Sequence, residues 1–230
     1  MNGLFSYDSK VMQILMKLGD LMLLNLIYLL CCIPVITIGA AQAGLYTGAK
    51  VMQDKEDDSS VVAAFFRGFR NGFGTVTIAW GITTVALVGV IYFAVAAIIA
   101  GSPIWLSVIA IMVCLIFHAL VPAFHARFAC TPWQLIRNSW FLFFAHPLRS
   151  IATTILLWVP VGVFMVDTFL FMTLAPLWMT LYYSASANFI TTFLKKPFKT
   201  LTDHFNETHG ITPEDTQAES LPEAEEAIPE

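Results

Sequence analysis

Polar and apolar positions along this chain fall in long blocks, without the short alternation of a soluble fold. No residue from Leu21 to Ala49 is charged, and only Pro34 and the glycines Gly39, Gly44 and Gly48 interrupt the run. A second uncharged block extends from Thr75 to Phe124 around a Gly101-Ser102-Pro103 turn, and a third, Ser150 to Leu194, carries one charge in 45 residues, Asp167. Crossing a bilayer takes ~20 consecutive apolar residues, so each block is too long for the core helix of a soluble domain. The pattern predicts an all-α fold: a polytopic membrane helical bundle of six membrane helices, alternatively five, with two amphipathic interfacial helices.

The first block decides between six and five. In one threading, Leu21 to about Ala43 is a single span kinked at Pro34, whose ring removes a backbone donor. In the other, a helix from Val11 to Ile33 turns near Pro34 and a second helix returns from Ile36 to Gln53. Positive residues gather on the cytoplasmic side of membrane proteins. Here they occur as Lys10 and Lys17; Lys50, Lys55, Arg67 and Arg70; Arg127, Arg137 and Arg149; Lys195, Lys196 and Lys199. The hairpin puts all 12 on one side and both termini in the cytoplasm, whereas the single span strands Lys10 and Lys17 outside. The hairpin is therefore preferred, although its first helix must hold Lys17 and Asp20 near the interface. Ala40, Gly44 and Gly48 recur every four residues along the returning arm, a small-residue face suited to close helix contact.

The later spans are Thr75 to Ala100, Ile104 to about Phe124, and two within Ser150 to Leu194, with Asp167 near their connecting turn. Two cytoplasmic stretches have a different period. In VVAAFFRGFRNGF, the residues Val62, Phe65, Phe66, Phe69 and Phe73 share one helical face and Arg67, Arg70 and Asn71 another. Thr131-Pro132-Trp133-Gln134 forms a capping box with proline in the first turn. The helix it opens has Trp133, Ile136, Trp140, Phe141 and Phe144 on its apolar face and Arg137 elsewhere. Aromatic faces with basic flanks suit helices lying in the headgroup layer, or surfaces that dock a partner. Phe65, Phe66, Phe69, Arg67, Arg70, Trp133, Trp140 and Arg137 are the candidate docking or interfacial residues.

Composition narrows the function classes. The chain is 57% hydrophobic and 12% charged, against about 25% charged in a typical soluble domain. Its net charge of −4 divides into +5 through Thr202 and −9 from Asp203 onward. Residues 1–202 are read as the transmembrane helical domain, and 203–230 as an acidic, disordered cytoplasmic tail. The Leu21–Ala49 run is longer than the apolar core of a signal peptide and is read as retained. Cys31, Cys32, Cys114 and Cys130 have no metal-type spacing, and no HExxH, GxSxG or paired-carboxylate motif occurs. The expectation is a protein that is not an enzyme and carries neither cofactor nor metal. Its basic residues lie in short juxtamembrane groups, which argues against nucleic acid as a partner.

Two polar residues within the spans stand out, His118 and Asn188. Ionisable groups inside a membrane default to functional candidates, although a lone histidine more often serves as a hydrogen-bonded structural residue. Asn188 belongs to a stripe with Tyr182, Tyr183, Ser184, Ser186, Thr191 and Thr192, which could join helices or line a cavity.

Three segments, LLNLIYLLCCIPVITIGAAQAGLY (Leu23–Tyr46), FFRGFRNGF (Phe65–Phe73) and VPAFHARF (Val121–Phe128), resemble the YesL family of bacterial integral membrane proteins. The resemblance covers about Met1 to Lys199, and the first segment is the specific one. The family is a domain of unknown function whose members look like accessories encoded beside carbohydrate ABC transporters and glycoside-degrading enzymes. What it implies is a multi-pass protein of the bacterial cytoplasmic membrane, with the lipid bilayer and sugar ABC transporter permease subunits as partners. The competing expectation is a small independent transporter or channel for a neutral solute such as a sugar.

Overall fold

The computed structural model describes residues 10–53, 59–128 and 131–196, so the acidic tail expected over 203–230 lies outside the described residues. All regular structure among them is helical. In chain order the helices are α1 (Lys10–Cys31), α2 (Ile38–Val51), α3 (Val61–Ile99), α4 (Ile104–His125), α5 (Pro132–Ala145), α6 (Pro147–Val166), α7 (Thr168–Thr173), the single turn α8 (Ala175–Leu177) and α9 (Tyr183–Phe193). The chain divides into a unit of Met1–Phe193, which holds all of these helices, and a second of Leu194–Glu230.

The chain reverses at Pro34. α1 ends at Cys31, and a 3-10 turn over Val35–Thr37 leads into α2. Thr37 closes the corner, its hydroxyl lying 2.5 Å from the carbonyl oxygen of Cys31 and 2.7 Å from that of Pro34 and sharing its one proton between them, which supplies a partner to an oxygen that the end of α1 leaves open. Near the far end of α2, a Cβ on Gly48 would lie 2.7 Å from a methyl group of Leu24, midway along α1. Nearer the turn, Gln42 of α2 is a side-chain neighbour of Tyr28. Higher numbers on α2 thus meet lower numbers on α1, the antiparallel arrangement of a hairpin and not of one kinked span.

α2 is the centre of the packing. Eleven of its 14 residues are buried, and it touches α1, α3, α4 and α9. Small residues permit this approach: a Cβ on Gly44 would stand 2.8 Å from the Phe65 carbonyl oxygen and 2.9 Å from its ring. Close packing substitutes here for the hydrophobic drive that lipid does not supply between membrane helices.

Among the described residues, four helices are long and apolar enough to cross a bilayer: Val11–Cys31, Val61–Ile99, Ile104–His125 and Pro147–Val166. The six-helix expectation therefore stands in part. α2, at 14 residues, would measure only ~21 Å at ~1.5 Å per residue; it lies among other helices and needs no lipid-compatible length. The last expected span is divided, because Asp167 interrupts the helix and Pro176 sits in the first turn of α8, after which Trp178–Tyr182 form a π-helical turn. Asp167 Oδ1 caps α7, accepting from the amides of Phe169 at 2.9 Å and Leu170 at 3.1 Å. It occupies a connecting turn, as its spacing implied.

The two expected interfacial helices also differ. The first is not separate: Val61–Ile99 is one continuous helix of 39 residues, begun by Ser60, whose hydroxyl accepts from the Ala63 amide at 3.2 Å. Its glycines do not break it, since Gly68 and Gly72 face the Ala43–Thr47 stretch of α2. The second is distinct as α5, and its capping box is present, with Thr131 and Gln134 each accepting from the other's backbone amide.

Candidate functional site

Three places in the fold hold the chemistry singled out above: the aromatic faces of α3 and α5, the middle of α4, and the last helix with its partners on α1 and α2.

On α3, Phe66, Arg67 and Arg70 are exposed and Phe69 is half-buried. Phe65 is a correction to the expected face. It is fully buried because it sits over Gly44, so it belongs to the α2–α3 interface and is closed to any partner. On α5 the inward face is Leu135, Ser139 and Leu142, spaced at 4 and 3 residues as one side of a helix requires. The aromatic face turns outward, with Trp133 72% and Phe144 67% exposed. Arg137 is exposed as well. Trp140 is half committed, since its ring lies 4.3 Å from that of Phe117 on α4.

His118 is buried. Its Nδ1 lies 3.3 Å from the Thr83 hydroxyl on α3, and its ring is flanked by Trp80 of α3 at 5.2 Å and Trp158 of α6 at 5.8 Å between centroids. Pro122, one turn on, has no amide hydrogen to give the His118 carbonyl. His125 lies elsewhere, beside Gly72 at the other end of this stretch of α4, so the two histidines do not form one site. Among the described residues no three His, Cys, Asp or Glu side chains gather as metal ligands would.

Asn188 is not isolated in a span. The Gln53 side chain, just past the end of α2, donates to its Oδ1 at 2.6 Å and to its carbonyl at 2.8 Å. Much of the rest of its stripe is similarly engaged. Ser184, Thr191 and Thr192 donate to carbonyls of their own helix region, and Tyr182 donates to the carbonyl of Leu156. That last oxygen is the one Pro160 leaves without an amide partner four residues on.

The residue that sequence reasoning passed over is Asn25. It is completely buried and donates to the carbonyls of Trp178 at 3.1 Å and Met179 at 2.7 Å while accepting from the Ser184 amide at 3.0 Å. A π-helical turn leaves backbone groups without their usual partners, and Asn25 on α1 supplies them. The available signal was its identity: a lone amide in LMLLNLIYLL is costly in lipid unless a neighbouring helix satisfies it.

These features define a helical membrane protein held together by small-residue contacts and by side chains that repair breaks in its helices. Within it, residues 21–95, from α1 through most of α3, match the family described as Protein of unknown function, DUF624. No curated protein matches the chain, and neither does any solved structure.

Proposed function

We propose that this protein is a non-enzymatic accessory of carbohydrate ABC transport, of the YesL type. It sits in the bacterial cytoplasmic membrane with both termini in the cytoplasm and binds the permease subunits of an oligosaccharide transporter. The observation that carries the reading is the outward aromatic face of α5, where Trp133, Phe141 and Phe144 are exposed while Leu135, Ser139 and Leu142 hold the helix down. A rigidly capped helix presenting aromatic residues beside Arg137 suits recognition, since aromatic and Arg side chains dominate the energetics of protein interfaces. The opening turns of α3 add exposed Phe66, Arg67 and Arg70.

An independent carrier for a neutral solute is favoured less. The hydroxyl stripe that would line its path is largely occupied by bonds within and between helices, and the Asn188 side chain is held by Gln53.

The test is mass spectrometry of what co-purifies with a tagged copy in mild detergent from cells grown on an oligosaccharide. Stoichiometric permease subunits are expected. Trp133→Asp and Phe66→Asp should each cut their recovery at least about tenfold, the effect of losing an interface anchor, with membrane levels of the protein unchanged. Trp133 is a cleaner probe than Trp140, which also packs on Phe117. Recovery of the protein alone, or undiminished association in both variants, contradicts the reading.

A further inference from the structure

The surroundings of His118 contain hydrogen-bonding capacity that the protein itself leaves unused. The Thr83 hydroxyl has a single proton and two candidate acceptors, the carbonyl of Trp80 on its own helix at 2.9 Å and Nδ1 of His118 at 3.3 Å. Threonine within a helix commonly donates back to a carbonyl three or four residues earlier, and the shorter contact is that one. The hydroxyl oxygen then accepts from His118, so Nδ1 carries the imidazole proton and Nε2 of the neutral ring is a bare acceptor. Among the described residues, Thr83 is the hydrogen-bond partner of this ring.

Close to the ring stand two donors without acceptors. Trp80 Nε1 and Trp158 Nε1 are both buried and unpaired, as is the hydroxyl of Thr77 one turn before Trp80. Both indole planes are tilted against the imidazole, by 50° and 49°, and not stacked on it. Buried polar groups in folded proteins are almost always hydrogen-bonded to protein or to ordered water. Two orphaned indoles beside one imidazole form a cluster contributed by α3, α4 and α6.

We infer that His118, Trp80 and Trp158 form an internal site for a neutral hydroxyl group, which donates to His118 Nε2 and accepts from the indole N–H groups. The complementarity selects the ligand chemistry. A cation would face two N–H donors, and an anion would face the lone pair of Nε2 with no positive charge to offset it. A carbonyl or ether oxygen could accept from the indoles but would leave Nε2 unpaired. A hydroxyl oxygen both accepts and donates, and it matches the set. Water and the alcohol of a polyol or sugar share this chemistry. The inference is independent of the accessory role proposed above.

The test uses the full-length protein in lipid nanodiscs with 15N-labelled histidine and tryptophan side chains, the two indole signals being assigned through Trp80→Phe and Trp158→Phe. The His118 nitrogen shifts should report a neutral ring protonated at Nδ1. At least one of the two indole protons should show a cross-peak to water, and that peak should disappear in His118→Phe. If titration with glycerol or glucose abolishes the water cross-peak and shifts both indole signals to saturation, the occupant is an organic hydroxyl; if neither changes, it is water. A ring protonated at Nε2, or indole protons that contact neither water nor added polyol, overturns the site. The tautomer is read in the unmodified protein, so the outcome stands even if His118→Phe fails to fold.

Discussion

The α2 helix, uncharged until Lys50, and the outer part of the α3–α4 hairpin both come from long apolar blocks, yet they are packed in opposite ways. In α2 the residues are mostly small, and nearly every one is enclosed by neighbouring helices. In α3 beyond Leu87 the only buried position is Ala94, and the buried residues of α4 begin only at Ile116. There Tyr92 is 74% and Phe93 78% exposed, and between the helices lies an open groove of about 400 Å³ lined by Ala86, Gly89, Val90 and Ala97 among others. High hydropathy thus marks contact with lipid, while small residues and repaired hydrogen bonds mark contact with protein. Lipid tails are as apolar as leucine, so large side chains give helices no reason to prefer one another over the bilayer.

The sharpest way to break this comparison is to place the same large side chain in both regions. Gly44→Leu would force a Cβ to within 2.8 Å of the Phe65 backbone, and the helices would have to separate. We expect a loss of about 3 kcal/mol or more, the upper end of overpacking effects, seen as failure to recover a monodisperse peak in detergent. A Cβ at Gly89 would meet nothing within 4 Å, so Gly89→Leu should leave the peak and thermal stability unchanged within about 0.5 kcal/mol.

Next in size is Asn25→Leu, which keeps the volume and removes three hydrogen bonds to the π-helical turn and Ser184. Single bonds between membrane helices average about 0.6 kcal/mol, but here three backbone groups lose their partner together, so about 2 kcal/mol should be lost. Thermal unfolding in detergent reads this directly. An unchanged midpoint would mean that the turn satisfies its own backbone.

A smaller and more specific effect concerns Tyr182. Tyr182→Phe should cost about 1 kcal/mol while Pro160 is present. In a Pro160→Ala background a backbone amide can reach the Leu156 carbonyl, and the same substitution should cost markedly less. A double-mutant cycle measures the difference; strict additivity would show that the hydroxyl does not compensate for the proline.

Much of this division was readable in the sequence. Pro34 marks the reversal because proline limits the backbone locally, and Thr131-Pro132-Trp133-Gln134 announces its helix because a capping box is complete within four residues. The small-residue face of Ala40, Gly44 and Gly48 identified the arm that packs. What could not be read was long-range. Phe65 shares a helical face with Phe66 and Phe69 by spacing, and only the arrival of Gly44 assigns it to the interior. The amphipathic stretch and the span from Thr75 read as separate helices, whereas α3 runs through both, and Gly68 and Gly72 leave room for α2. The bonds from Asn25 to Trp178 and Met179 span more than 150 residues, and no local pattern encodes such a partner. The candidate site around His118 was half visible: the histidine itself stood out, while Trp80 and Trp158 read as ordinary apolar positions.

The central claim is that the chain reverses at Pro34 and lays α2 against α1, and it is tested most directly by one disulfide. In a background with the native cysteines replaced, Leu24→Cys and Gly48→Cys put thiols where the Gly48 position and the Leu24 side chain now meet, and truncating Leu24 clears space for the new side chain. Mild oxidation in native membranes should join them rapidly and nearly completely, read as a mobility shift that reductant reverses. If residues 21–43 were instead one kinked span, Leu24 and the far end of the span at Ala43 would lie roughly 28 Å apart at ~1.5 Å per residue, with Gly48 beyond that end, and no intramolecular crosslink would form.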